Sequence, residues 1–179
     1  MKDSLTLNET VRESIALALL ALMEEKPFAA ISVSEVVRAA GVARSSFYRN
    51  FDGKEHVLRC YLRDLYRAYF AEERVPESAQ ADDADYLLPR FRFVRRHAGL
   101  FTLLHRHGLL YYIFEQMEPE LIGMLCARDT ALPRYVLAMS AGACAGVIRM
   151  WIENDFAESE AELTALFRMH DEAWEKQNR

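Results

Sequence analysis

No run of about 18 apolar residues occurs anywhere in this chain, so no segment is expected to cross a membrane as a helix. The opening residues, MKDSLTLNET, lack the charged-then-apolar build of a secretory signal, and a cytoplasmic location is expected. Cysteine is scarce. Cys60, Cys126 and Cys144 are too few and too scattered for a zinc site or a disulfide framework; ordinary half-buried thiols are expected, with redox sensing as the alternative. Strand-like alternation is missing, as are internal repeats and low-complexity tracts. There is no glycine-rich phosphate loop, no HExxH, no nucleophile elbow and no CxxC, so neither catalysis nor a bound metal or cofactor is expected. What remains is a chain of 179 residues, 51% of them hydrophobic, long enough to bury a core and too apolar for disorder.

A net charge of −5 argues against nucleic acid as a partner until its distribution is considered. Residues 1–60 hold eight Lys or Arg and eight Asp or Glu, a balance of zero, so the whole excess of acid lies downstream. Between Arg38 and Asn50 there are three arginines and no carboxylate. Such a locally basic face can dock on phosphates while the acidic remainder limits non-specific binding.

That basic face sits inside ISVSEVVRAAGVARSSFYRNFDGK, residues 31–54, which reads as two short helices joined by a tight turn. Ser32 and Glu35 have capping-box spacing, each able to satisfy the other's orphan backbone N–H, so a helix should begin at about Val33. Val33, Val36, Val37 and Ala40 give it a buried face, and Gly41 stands where a chain leaving a helix commonly needs positive φ. Val42 would plug the turn. Ala43 opens a second helix, anchored by Phe47 and Phe51 and carrying Arg44, Ser45, Ser46, Tyr48 and Arg49 on its other face. Arginine can grip a guanine edge with two parallel hydrogen bonds, and hydroxyls suit phosphate oxygens. The N-terminal residues of a recognition helix point at base edges, which makes Arg44 and Ser45 the expected readers and Ser32, Ser46, Tyr48, Arg49 and Lys54 the expected backbone contacts.

Taken together, Phe28, ISVSEVVRAAGV, SSFYRNF and GKEHVL resemble the N-terminal domain of TetR-type transcriptional regulators, over about Asn8 to Arg67. One departure is Ala43, where the family usually places a serine as N-cap; alanine cannot accept the backbone N–H, at a cost of roughly 1 kcal/mol. The resemblance implies a helix-turn-helix DNA-binding domain at 8–68, its motif at 32–51, and a helical effector-binding and dimerisation domain at 69–179.

Around the motif the chain reads as helix almost throughout. Val11, Ile15, Ala18, Leu19, Leu22 and Met23 form a stripe capped by Asn8 or Thr10 and stopped by Pro27. Apolar residues from Val57 to Tyr69 predict a helix over Lys54–Glu73, which would leave the DNA-reading domain and could couple it to the next. Val75 to Asp85, with Pro76 and four acids, reads as a loop. Helices are then expected at Tyr86–His97, Gly99–His107, Leu109–Met117, Glu120–Leu125, Pro133–Asn154 and Glu160–Gln177, the last opened by a Ser159/Glu162 capping box.

Tyr135 to Trp151 is apolar nearly all round, with small residues between Gly142 and Gly146 that would allow another helix to approach closely. The partner could be intramolecular or the same helices of a second copy. TetR-type regulators usually dimerise through their last two long helices, so the resemblance favours a homodimer interface of Gly142, Gly146, Trp151, Leu163, Phe167 and Trp174. RFRFVRRHAGLFTLL and GVIRMWIENDFAESEAEL also resemble one branch of that family, known mainly from bacterial regulators of varied effectors.

His97, His105 and His107, with Arg95, Arg96 and Arg106, form the richest titratable cluster. His105 and His107 would diverge by about 200° on a helix and so could not readily share a metal; they are solvated or capping residues, or else line a site for an anionic effector. The basic stretch Arg90–His107 is a solvated face, a partner for the acids at Glu72–Asp85, or a secondary contact surface. Phe101, Leu104, Tyr111, Tyr112, Phe114, Met117 and Met139 are core by spacing, yet the family usually encloses its inducer between the middle helices, which implies a pocket there with His105 beside it.

The expectation is an all-α, homodimeric, ligand-responsive repressor on a palindromic double-stranded DNA operator, with an unknown small-molecule effector. The alternative is a regulator controlled by a partner protein and acting as an activator.

Overall fold

A long helix opens the chain because its apolar positions recur at three and four. In the computed structural model, which describes residues 2–73, 83–115 and 133–177 and the side chains of 8–72, 87–115 and 142–169, α1 spans Lys2–Glu25. Asn8 and Thr10 therefore lie inside the helix rather than capping it. The Thr10 carbonyl is held within the helical run by the Ser14 hydroxyl at 2.8 Å. Ile15, Leu19 and Met23 are fully buried along the expected stripe.

Pro27 ends α1, and a single 3-10 turn at Phe28–Ala30 leads into α2, Val33–Ala39. Then come α3, Arg44–Asn50, and α4, Lys54–Glu73. These pack as α1 against α2 and α3, and α2 against α3, around Val36, Phe47, Phe51, Val57, Leu58 and Leu62.

Further on, α5 spans Asp83–Arg96 and α6 spans Ala98–Arg106. The expected start at Tyr86 is corrected to Asp83. Pro89 is carried inside that helix. His97 is the N-cap residue of α6, without a side-chain cap bond, and His107 its C-cap. Gly108 follows with φ +68, and the Leu109 N–H reaches back 2.8 Å to the Leu104 carbonyl, closing α6 in the manner of a Schellman motif. Residues 111–115 are helical; Met117 and the helix expected at Glu120–Leu125 lie outside the described residues, as does Cys126. The last two helices are α7, Pro133–Glu153, and α8, Glu160–Gln177. Among the described residues there is no strand, and no helix long and apolar enough to cross a membrane.

The chain divides into two compact units, 1–65 and 66–179, and α4 contributes to both. In the second unit α5 packs on α8 and α6 on α7. Its interior is aromatic: Tyr66, Tyr69, Phe70, Phe93 and Phe101 meet in edge and tilted contacts, and Phe91 stands edge-on to Trp151 at 5.8 Å. Arg96 pairs with Glu72 at 3.3 Å, as the ion-pair reading of the basic stretch expected, whereas Arg90 is buried beneath Phe70 with its guanidinium 5.0 Å from the ring.

Candidate nucleic-acid interface

The α2–α3 unit is built by local rules. Ser32 caps α2: the Glu35 N–H donates to Ser32 Oγ at 3.3 Å, and the Ser32 N–H donates to Glu35 Oε2 at 3.0 Å. At the other end Gly41 has φ +66, and the Val42 N–H donates to the Val37 carbonyl at 3.1 Å. A Cβ at Gly41 would meet nothing within 4 Å, so the backbone conformation and not space demands glycine. Val42 is half-buried. Ala43 occupies the N-cap of α3 without a side-chain hydrogen bond, the weakened cap anticipated from its composition.

Glu35 also receives the Lys26 ammonium, which ties the end of α1 to α2. That cation, then the Ser32 N–H and hydroxyl, hold the Glu35 carboxyl down from 4.5 to about 2. A carboxylate whose pKa falls on folding adds stability above its unfolded value, and loses it as pH drops through the folded one. The melting temperature of Glu35→Gln should therefore lie below that of the parent at neutral pH, and the gap should close between pH 4.5 and about 2. A gap that stays constant across that range would show that the charge of Glu35 plays no part.

On α3, Phe47 and Phe51 point inward, 5.9 Å apart, while Arg44, Ser45, Tyr48 and Arg49 are exposed and Ser46 is half-buried. Arg44 does not hang free. Its Nη1 donates to Ser34 Oγ at 2.9 Å and its Nη2 to the Tyr48 hydroxyl at 3.2 Å, with the guanidinium 5.4 Å from the Tyr48 ring. Two of the expected DNA-contacting residues thus act as one group, and Ser34, which sequence reasoning missed, completes it. The only signal in the sequence was a hydroxyl at an outward position of α2; the bond it makes crosses the turn. Asn50 closes the helix by donating to the Ser46 carbonyl at 2.9 Å.

Two other expected phosphate contacts are placed differently. The Ser32 hydroxyl donates to Glu35 Oε2 at 2.8 Å within its capping box. Lys54 turns back into the domain, its ammonium donating to the carbonyls of Phe28 at 2.6 Å, Ala29 at 3.1 Å and Ile31 at 2.8 Å. Its three donors are thereby matched by three carbonyls of the turn before α2, which makes it a clamp on the fold.

In the second unit Phe101, Leu104 and Tyr112 are buried, His105 and Phe114 are half-buried, and Tyr111 is exposed, its ring 4.0 Å from that of Tyr112. His105 Nε2 lies 3.7 Å from Glu153 Oε1. The Met139 side chain is outside the described ones. The residues expected at a dimer interface have the following places within one chain. Trp151 is 1% exposed and donates through Nε1 to the Glu158 carbonyl at 2.9 Å, Leu163 is buried, and the Phe167 ring lies 5.9 Å from that of Phe91. Leu163 and half-buried Phe167 lie on the side of α8 that packs on α5, while Trp151, on α7, stands edge-on to Phe91 of α5. Gly142 is exposed and Gly146 half-buried, while the Trp174 side chain is outside the described ones. Among the described side chains, the large exposed hydrophobic residues of α7 and α8 are Met150, Leu166 and Met169, at 63%, 53% and 68% exposure.

Residues 15–59, inside the first unit, match the sequence model of the bacterial regulatory proteins of the tetR family. No curated protein matches the chain. The matched segment runs from Ile15 in the core of α1 through α2, the glycine turn and the arginine-bearing α3 into α4. The chain's first unit is thus a helix-turn-helix DNA-binding domain of the type found in bacterial regulatory proteins of the tetR family, serving transcription regulation.

Proposed function

We propose that the protein is a ligand-responsive repressor that reads a palindromic operator as a homodimer. The observation that carries this reading is Arg44, exposed at the first position of α3 and steadied by Ser34 and Tyr48. A guanidinium whose rotamer is already restrained loses less freedom when it meets a base edge, so the network favours recognition over general adhesion. Ser45 reads beside it, and Ser46, Tyr48 and Arg49 hold phosphates.

A seven-residue helix spans few base pairs, and two copies related by a dyad lengthen the site. The pairing surface we assign to the exposed side of α7 and α8, with Gly142, Met150, Leu166 and Met169 in the contact. Met150 and Gly142 are eight residues apart, two turns of helix, with Gly146 between them. Effector binding belongs to the second unit. Buried Arg90 beside Phe70 supplies a cation among aromatic side chains, suited to an anionic effector with an apolar body. Because α4 is shared by both units, a shift of its C-terminal half is carried into the half that packs in the DNA-binding unit, changing the population of dimers whose two α3 helices match the operator spacing.

Selection of bound sequences from a random duplex pool, at stated salt, tests this directly. A palindrome is expected; recovery of no common sequence, with affinity falling steeply in salt, would leave only non-specific binding. On the selected operator, Arg44→Ala should lose about 1–3 kcal/mol and relax preference at one base pair per half-site. Tyr48→Phe should weaken all sequences about equally, by a smaller factor. Lys54→Ala should lower the melting temperature of the first unit, whereas if it weakens binding at unchanged stability, Lys54 is a phosphate contact. Operator affinity unchanged in Arg44→Ala and Tyr48→Phe together would refute the assignment of α3.

A further inference from the structure

Arg44 is held from two helices at once. On α3, the Tyr48 hydroxyl one turn along accepts from Nη2 at 3.2 Å, and its ring lies 5.4 Å from the guanidinium; on α2, Ser34 Oγ accepts from Nη1 at 2.9 Å. The two bonds act differently. A tether to Tyr48 alone would turn with the arginine's own helix, whereas the Ser34 bond spans the turn at Gly41 and ties the guanidinium plane to α2. The one carboxylate of α2, Glu35, does not compete for the cation, being occupied by the Lys26 ammonium and by the Ser32 N–H and hydroxyl. Ser34, Arg44 and Tyr48 are all exposed, so the network stands on a solvent-facing side of the domain and not in its core.

The tether leaves a defined set of donors. A guanidinium has five N–H donors, and the two bonds to hydroxyls leave three, the Nε–H and one on each Nη. In the major groove guanine alone presents two acceptors side by side, O6 and N7; adenine sets a donor beside its N7, thymine offers O4 beside a methyl group, and cytosine offers a donor. A donor pair held in one plane therefore matches guanine and no other base. With the plane free to turn, the same cation is satisfied by single bonds to a phosphate or to thymine O4, and contact survives without choice. We propose that Ser34 is a specificity-determining positioning residue, which touches no base itself and selects guanine by fixing the plane of Arg44. The inference rests on the reading of Arg44 as the residue that meets a base edge. It gives α2 a share in sequence choice, beyond the backbone docking that the first helix of such a motif ordinarily provides.

The test uses the full-length protein with the duplex it selects from a random pool, and with that duplex altered at the base pair whose preference Arg44→Ala abolishes. That base should be guanine. Ser34→Ala should lower the preference for G·C over A·T there by about three- to tenfold, while its affinity for an unrelated duplex stays within about two-fold of the parent. Its melting temperature should not fall, alanine being the better helix former. Replacing the guanine by 7-deazaguanine, which lacks the N7 acceptor, should weaken the parent more than Ser34→Ala. Ser34→Thr keeps the hydroxyl and should keep the preference. Added to Arg44→Ala, Ser34→Ala should change the preference no further, since it acts through the arginine. Without DNA, Nη1 and Nη2 of Arg44 should give separate nitrogen resonances in the parent at a temperature where those of Ser34→Ala have merged. A base other than guanine, additive effects of the two alanine variants, a preference lost in Ser34→Thr, or Nη resonances unmoved by Ser34→Ala would each overturn the proposal. A preference lost in Arg44→Ala but kept in Ser34→Ala would overturn it while leaving Arg44 as the reader; a preference kept in both would overturn the reading of Arg44 and the inference with it.

Discussion

Phe47→Ala abolishes operator binding and melts the first unit, while the second unit keeps its structure. Phe47 is the one fully buried residue of α3, at 0% exposure, and touches Phe51 and Tyr48 with ring centroids at 5.9 and 5.4 Å. A helix of seven residues is far below the length at which helices persist alone in water, and the one feature that could secure its start, an N-cap side chain, is absent at Ala43. The helix exists because Phe47 and Phe51 fasten it to α1 and α2. Truncating a buried phenylalanine costs about 3–5 kcal/mol. A unit of some 65 residues has on the order of 3–10 kcal/mol in total. The loss is thus comparable to the whole stability of the unit, and it falls on the element that carries Arg44. Amide exchange on the full chain separates the two units: protection should vanish through α1–α3 and persist in α5 and α6. Operator affinity within a few-fold of the parent, together with protected α3 amides, would mean that the fold does not depend on this anchor.

Features whose cause is local were readable from the residues alone. The capping boxes at Ser32/Glu35 and Ser159/Glu162 appear with their bonds in place, because both partners lie within one turn. Gly41 adopts positive φ, and α4 and α8 have the bounds expected from periodicity and caps. Long-range matters were not readable. Periodicity shows which residues of α8 share a face, but not whether that face meets α5 or a second chain; Leu163 and Phe167 meet the core. Lys54 resembled a surface cation because the carbonyls it clamps lie 23 to 26 residues earlier. Asn8 and Thr10 have the chemistry of caps, yet α1 runs through both from Lys2. Of the interface itself, the identities of Arg44 and Tyr48 were legible, and the Ser34 bond that joins them to α2 was not.

The same limit hid Arg95, whose partners lie 61 to 65 residues away and whose removal should be strongly destabilising for the second unit. The chain leaves α7 through Asp155 and Phe156, both non-glycine residues at positive φ, 54° and 55°. The Phe156 N–H donates to the Trp151 carbonyl at 2.8 Å, so the turn ends the helix in Schellman fashion, but a bulky side chain in the left-handed region costs roughly 1–2 kcal/mol. Arg95 holds that turn from α5. Its Nη1 donates to the Phe156 carbonyl at 2.7 Å, its Nη2 to the Glu158 carbonyl at 2.5 Å, and its Nε to Glu160 Oε1 at 3.1 Å. The guanidinium also lies 4.6 Å from the Trp151 ring and 5.7 Å from that of Phe156. With the Arg95 side chain about a third exposed, water would recover part of what is lost. Arg95→Ala should then cost about 3 kcal/mol, from charge-assisted bonds worth roughly 1.5–3 kcal/mol each less that recovery. For a chain of this size each kcal/mol moves the melting temperature by roughly 2–4 °C, so a fall of roughly 6–12 °C is expected, with Trp151 emission shifted to the red. Arg95→Lys keeps the charge and loses the planar fork, and should recover less than half of the difference. A melting temperature within about 2 °C of the parent for Arg95→Ala would show that the turn holds itself; full recovery by lysine would show that charge alone suffices. Because the turn fixes how α7 enters α8, and the exposed Met150, Leu166 and Met169 lie on those helices, the alanine variant should also dimerise more weakly if those residues form the pairing surface proposed above.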